Sequence, residues 1–131
     1  GLTVEIDILT TSYMSQSIAQ FESNFYRKSW IADYPDAENY LSLFYSKNFC
    51  PSGPNYTHFD SSEFDDLYEK SLSETVVTKR HALYREMDSL LIQNAVIVPL
   101  YYDRVLRFTQ NNISGFDSNA MNLLDLKRVV K

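Results

Sequence analysis

The chain has 131 residues, 44% hydrophobic and 22% charged, an ordinary make-up for one folded domain that excludes a disordered chain, a collagen and a coiled-coil rod. Twelve Lys+Arg against 17 Asp+Glu leave a net charge of −5, which disfavours a general nucleic-acid binder with its basic face. A single cysteine, Cys50, excludes an internal disulfide and a multi-cysteine metal site.

The chain opens on Gly1 and then alternates through Leu2-Thr3-Val4-Glu5-Ile6-Asp7-Ile8-Leu9, the pattern of a strand with one face buried. A strand starting at the second residue suggests a piece of a longer protein, or one whose leader has been removed. Ser12 to about Glu22 reads as a helix with Tyr13, Ile18 and Phe21 on roughly one side, and Asn24 to Ile31 as a second strand. Pro35-Asp36 ends that strand. A short helix over Ala37 to Ser46 follows, with Asp36 as its N-cap and Tyr40, Leu41 and Phe44 on one face. Cys50 to His58 carries Pro51, Gly53 and Pro54 and reads as a loop, after which Asp60-Ser61 caps a helix bearing Phe64, Leu67, Tyr68 and Leu72.

The clearest helix spans about Val76 to Asn94, where Leu83, Met87, Leu90 and Leu91 recur at i, i+4, i+7 and i+8 and form a core stripe. Ala95 to Tyr102 is the longest apolar run, about eight residues where a membrane-spanning helix needs roughly 20. It reads as a buried strand broken by Pro99, which belongs at a bulge, an edge or a crossing between domains. Short strands are expected at Leu106 to Thr109 and Leu126 to Val130, with Gly115 turning the chain between them. The fold class is therefore mixed, α/β or α+β, with no repeat or linker to divide it.

Catalytic chemistry finds little to rest on. There is no G-x-S-x-G, Cys50 lies beside Pro51 without a nucleophile signature, and His58 and His81 have no spaced metal partner. Glu63, Asp65 and Asp66 fall in a helix's first turn, where they complement its dipole. Only three glycines, where about 7% is usual, argue against a glycine-rich phosphate loop. The ten tyrosines and eight phenylalanines either contact a ligand with large half-polar rings or rim the core.

One segment stands apart. Trp30-Ile31-Ala32-Asp33-Tyr34-Pro35-Asp36 puts a large aromatic and an acid at a strand exit before a helix, where ligand sites gather in α/β sheets. If partly screened from water, Asp33 favours a cationic partner such as an ammonium group. The other reading makes it a turn aspartate bonded to its own backbone before Pro35.

With these residues in place the chain resembles the family 5 extracellular solute-binding proteins, the oligopeptide and dipeptide receptors of ABC importers. Trp30 to Asp36 is similar to the family's W-x-A-D-Y-P-D block, and Asn39-Tyr40-Leu41 to its N-[FY]-L element. Asn55 followed by Ser61-x-x-Phe64-Asp65-x-Leu67 resembles the start of a family helix. Arg80-x-x-Leu83-Tyr84 and Ala95-x-Ile97-Val98-Pro99-Leu100-Tyr101-Tyr102 resemble the R-x-x-L-Y helix and the I-x-P-L-Y-Y strand, and Ile113-x-Gly115-Phe116 has a counterpart in the tail. Ala37 and Ser62 stand where the family often has proline, and Asp103 replaces a third aromatic found in some peptide receptors.

The resemblance implies part of one lobe of a two-lobed, periplasmic-binding-protein type II-like fold. Residues 1–103 would form the second half of the C-terminal ligand-binding lobe and residues 104–131 a tail returning across the hinge, with Pro99, Tyr101, Tyr102 and Asp103 at the crossing. Asp33 would hold a peptide's α-ammonium group, Trp30 would wall a side-chain pocket, and the backbone through Ile31, Ala32 and Tyr34 would pair with an extended peptide. It implies no reaction and no cofactor on this chain, a membrane ABC permease as partner, and a periplasmic or lipoprotein-anchored extracytoplasmic address. Binding needs both lobes, so the piece alone is expected to bind weakly and, with apolar strands uncovered, to self-associate. The alternatives are a non-peptide solute such as a metal chelate or oligosaccharide, and a sensor or regulatory module built on the same fold.

Overall fold

A computed structural model describes residue 1 and residues 3–119 and 121–131; Leu2, the expected start of the first strand, lies outside the described residues. Among the described residues four α-helices appear in chain order: α1 (Thr11–Ala19), α2 (Glu38–Leu41), α3 (Ser62–Ser73) and α4 (Val77–Gln93). Two 3₁₀ turns, Ser42–Phe44 and Ser46–Asn48, follow α2 directly.

The centre of the molecule is a helical hairpin. Ser61 accepts the Phe64 N–H at 3.3 Å, closing the first turn of α3 as expected of that residue. Residues 74–76 then reverse the chain into α4. The facing stripes are Phe64, Tyr68 and Ser71 from α3 and Tyr84, Met87 and Leu91 from α4, all buried. Leu41 and Phe44 complete the core, with Leu67, Leu90, Val96 and Ile97 packed half-buried around it. The α4 stripe is therefore rotated slightly from the expected one: Tyr84 is buried and Leu83 only half-buried. Leu72, on the same helix as Phe64 and Tyr68, is 62% exposed.

The helix expected over Ala37 to Ser46 is cut short after Leu41. Side chains compete there with the backbone ladder. Ser42 Oγ donates to the Asn39 carbonyl at 2.9 Å, Asn48 Nδ2 to the Ser42 carbonyl at 2.9 Å, and the Ser46 N–H to Asp65 Oδ1 at 3.1 Å. Asp65 thus holds a neighbouring turn besides complementing its own helix. In the loop after it, Asn55 is fully buried; its Nδ2 donates to the Tyr45 and Phe59 carbonyls at 3.1 and 3.0 Å.

The strand expectations are corrected. Among the described residues the only strand-type pairings are two isolated bridges, Phe49 with Asn55 and Ser114 with Val130. Residues 3–9, 24–31, 95–102, 106–109 and 126–130 form no ladder. A strand needs a partner for its N–H and C=O groups, and among the described residues these segments find no strand partner beyond the single Ser114–Val130 bridge. Val4, Ile6 and Ile8 are exposed accordingly, as are Val98, Leu100, Leu106 and Phe108. Gly115 does turn the chain at φ +73°, where a Cβ would fall 1.9 Å from the Arg128 carbonyl oxygen. On α1, Ile18 is buried, whereas Tyr13 and Phe21 are exposed; Phe21 lies past the helix end and stacks on His58 at 3.8 Å.

Candidate ligand-binding segment

Trp30 to Asp36 leads directly into α2, and that short helix organises it. Asn39, 4% exposed, is the pivot. Its Oδ1 accepts the Trp30 indole Nε1–H at 2.9 Å and the Asp33 backbone N–H at 3.1 Å, while its Nδ2 donates to Asp33 Oδ2 at 3.3 Å. The Asp33 carboxylate is therefore held from α2 and does not fold back on its own turn. Asp33 is exposed in this chain, not screened, and Trp30 beside it is half-buried. Ile31 is exposed, Ala32 half-buried and Tyr34 43% exposed. The backbone of Ile31 and Ala32 enters no backbone hydrogen bond among the described residues.

The next two acids anchor the segment to the hairpin. Asp36 Oδ1 accepts the Glu38 N–H at 2.9 Å and the Tyr84 hydroxyl at 3.0 Å, and its Oδ2 lies 3.6 Å from Arg80. Glu38 receives the hydroxyls of both Tyr34 and Tyr68. The Glu38 backbone N–H, with Tyr84, Arg80 and His81, holds the Asp36 carboxyl below its ordinary value. Burial and the bond to Asp36 push the Tyr84 phenol up to about 12, and burial with Glu38 raises Tyr68 as well. Asp36, expected as the N-cap, stands one residue before the actual N-cap Ala37; its carboxylate holds the Glu38 N–H of the first turn and ties it to α4 through Tyr84.

Of the expected hinge residues, only Tyr101 is brought near this region: its hydroxyl accepts from Arg27, three residues before Trp30. Pro99, Tyr102 and Asp103 are exposed and apart from the Trp30–Asp36 contacts. The buried strand expected through Pro99 is instead an extended segment whose side chains from Val98 to Tyr102 face outward. Sequence reasoning placed Asn39 only within a motif and missed its role. An asparagine just ahead of the expected apolar face of Tyr40, Leu41 and Phe44 was the available signal. No group of three or more His, Cys, Asp or Glu fit to hold a metal occurs among the described residues. Likewise, no helix among them is long and apolar enough to cross a membrane.

No family model matches the chain. It is 31% identical over 90 residues, 69% of its length, to the probable deoxycholate-binding periplasmic protein YgiS of Escherichia coli (strain K12). It is 28% identical over 115 residues to the oligopeptide-binding protein OppA of Bacillus subtilis (strain 168), 88% of this chain. To the dipeptide-binding protein DppE of the same organism it is 23% identical over 127 residues, 97% of this chain. These matches cover 16%, 21% and 23% of the respective relatives. The chain is a relative of the peptide-binding periplasmic proteins of the family 5 solute-binding type, as its motifs indicate. The relatives are named as binding proteins, not as enzymes.

Proposed function

We propose that the chain is a portion of the substrate-binding component of an ABC-type peptide importer, acting outside the cytoplasm, in the periplasm or anchored to the membrane as a lipoprotein. Residues 1–103 belong in this reading to one ligand-binding lobe and residues 104–131 to a tail that returns to the other, with Pro99, Tyr101, Tyr102 and Asp103 at the crossing. Hinge closure traps an extended peptide between the lobes, and the closed form engages a membrane permease.

The observation that carries the reading is the Asp33 carboxylate, exposed and oriented by Asn39 beside the unpaired backbone of Ile31 and Ala32. An extended peptide adding along that backbone gains main-chain hydrogen bonds whatever its sequence. Its α-ammonium then meets Asp33, and Trp30 walls the first side chain. Closure withdraws the pair from water and strengthens it. Peptide-binding relatives such as OppA and DppE support a peptide as the ligand.

Calorimetric titration of the whole protein carrying this chain with trialanine, beside its Asp33→Asn variant, tests it. The variant should lose about 2 kcal/mol of binding or more, the cost of an unpaired buried charge. Affinity that survives the change removes Asp33 from the site. A second reading, a non-peptide amphipathic solute, is favoured by the 31% identity to a probable deoxycholate-binding protein. Under it, deoxycholate binds and trialanine gives no heat. The 131-residue chain alone should self-associate through its uncovered apolar segments; sedimentation as a clean monomer at high concentration contradicts that.

A further inference from the structure

An asparagine side chain offers one carbonyl oxygen with two lone pairs and one amide with two N–H donors. The Asn39 side chain bonds Trp30 and Asp33 and also interacts with the Tyr34 hydroxyl, all within the one segment, and among the described residues it makes no hydrogen bond to the helical hairpin beneath it. Buried polar groups find hydrogen-bond partners, and where Asn55 finds them in the Tyr45 and Phe59 carbonyls of its surrounding loop, Asn39 finds them in the Trp30–Asp33 segment.

The geometry points to Asn39 as the positioning residue of the ligand segment: one neutral amide fixes the Trp30 indole, the Asp33 backbone and the Asp33 carboxylate together, presetting the site for an ammonium group. This inference rests on the reading of Asp33 as the amine's anchor. The choice of an amide has a chemical logic. A lysine or arginine at this place would neutralise the charge that Asp33 offers to a cation. An aspartate would supply oxygens for the two N–H donors but would repel the carboxylate it has to orient. Asparagine orients without neutralising. Its oxygen also gives the indole N–H of half-buried Trp30 the acceptor that such a group needs.

Trp30 is the one tryptophan of the chain, so its fluorescence and its single indole N–H resonance report this contact without ligand. Asn39→Leu removes all three bonds. Asn39→Asp keeps acceptors for the indole and for the Asp33 N–H, but replaces the donor to the Asp33 carboxylate with a charge that repels it. In Asn39→Leu the indole resonance should move to its unbonded position, and the Asp33 amide should exchange with solvent about tenfold faster, the loss of one hydrogen bond. In Asn39→Asp both signals should remain near wild type, and in both variants the amides of α3 and α4 should stay protected. An Asn39→Leu protein with unchanged indole and Asp33 signals overturns the inference. If Asn39→Leu loses the protection of α4 through misfolding, Asn39→Asp decides: retained indole and Asp33 signals support positioning, and loss of both refutes it.

Trialanine titrated into the whole protein separates the underlying reading. Asp33→Asn should weaken the peptide response and leave the indole resonance in place, whereas Asn39→Leu should alter both. A peptide response indifferent to Asp33→Asn refutes Asp33 as the anchor, and with it the preset ammonium site, even where the ligand-free signals show Asn39 holding Trp30.

Discussion

The helical hairpin and the extended segments of the chain are both rich in apolar side chains, yet the hairpin buries a continuous stripe of them while the extended segments leave most of theirs exposed. Phe64 and Met87 are fully buried, whereas Ile8 is 94% and Phe108 92% exposed. The difference lies in where each backbone finds its hydrogen bonds. A helix satisfies its N–H and C=O groups internally and needs a neighbour only for one face, which α3 and α4 supply to each other. An extended segment must find a partner for its edges as well as its faces, and among the described residues the backbone of 3–9 and 98–108 is unpaired and most of their side chains are exposed. The candidate ligand segment belongs to both regimes. Trp30 to Ala32 is extended and unpaired, while Asp36 and Glu38 are pinned to α4 and α3 through Tyr84 and Tyr68.

If the hairpin carries the stability of the chain, Phe64→Ala should remove about 3–5 kcal/mol in chemical denaturation, the usual result of emptying a fully buried aromatic site. Asn55→Ala comes next. It leaves the Tyr45 and Phe59 carbonyls without their donor and should remove about 1–3 kcal/mol, showing that the loop before α3 is part of the stable unit. A smaller effect is expected at high pH. The Tyr84 phenol binds its proton more tightly in the folded chain, at about 12 against an ordinary 10.0. Its contribution is whole below pH 10 and is lost as the pH rises toward 12, because there the folded state holds a proton that the unfolded state has released. Tyr84→Phe should flatten that alkaline slope in urea titrations. Smallest of all, Ile8→Ala should leave stability within about 0.5 kcal/mol, as for an exposed site. A loss as large as that of Phe64→Ala would mean that the flanking segments are folded onto the hairpin after all.

The same division explains what the sequence disclosed. Helix α4 was legible almost to the residue, and Ser61 announced the start of α3, because both signals are local: a 3.6-residue apolar period and a capping hydroxyl. Alternation in Val4, Ile6 and Ile8 reports a preference for extended backbone, but it does not name the partner, so the segment appeared as a strand and stands as an unpaired one. The early end of α2 was hidden for a related reason, since besides Ser42 bonding back to Asn39, the residues after the helix are held by Asn48 and, from across the fold, by Asp65. Within the candidate site, the Trp30 to Asp36 run was visible as an aromatic and an acid at the entry to a helix. The part of Asn39 was not, because an asparagine among Tyr40 and Leu41 says that an amide is buried without saying which groups it serves.

The central claim is that Asp33 binds a peptide's free amine, and it is tested most directly by changing the ligand and leaving the protein alone. Trialanine and N-acetyl-trialanine share the same backbone and side chains and differ in the ammonium group. Calorimetric titration of the whole protein carrying this chain should show acetylation weakening binding by about 2 kcal/mol, roughly 30-fold, with the difference abolished in Asp33→Asn. Equal affinity for the two ligands in the unaltered protein would contradict the account.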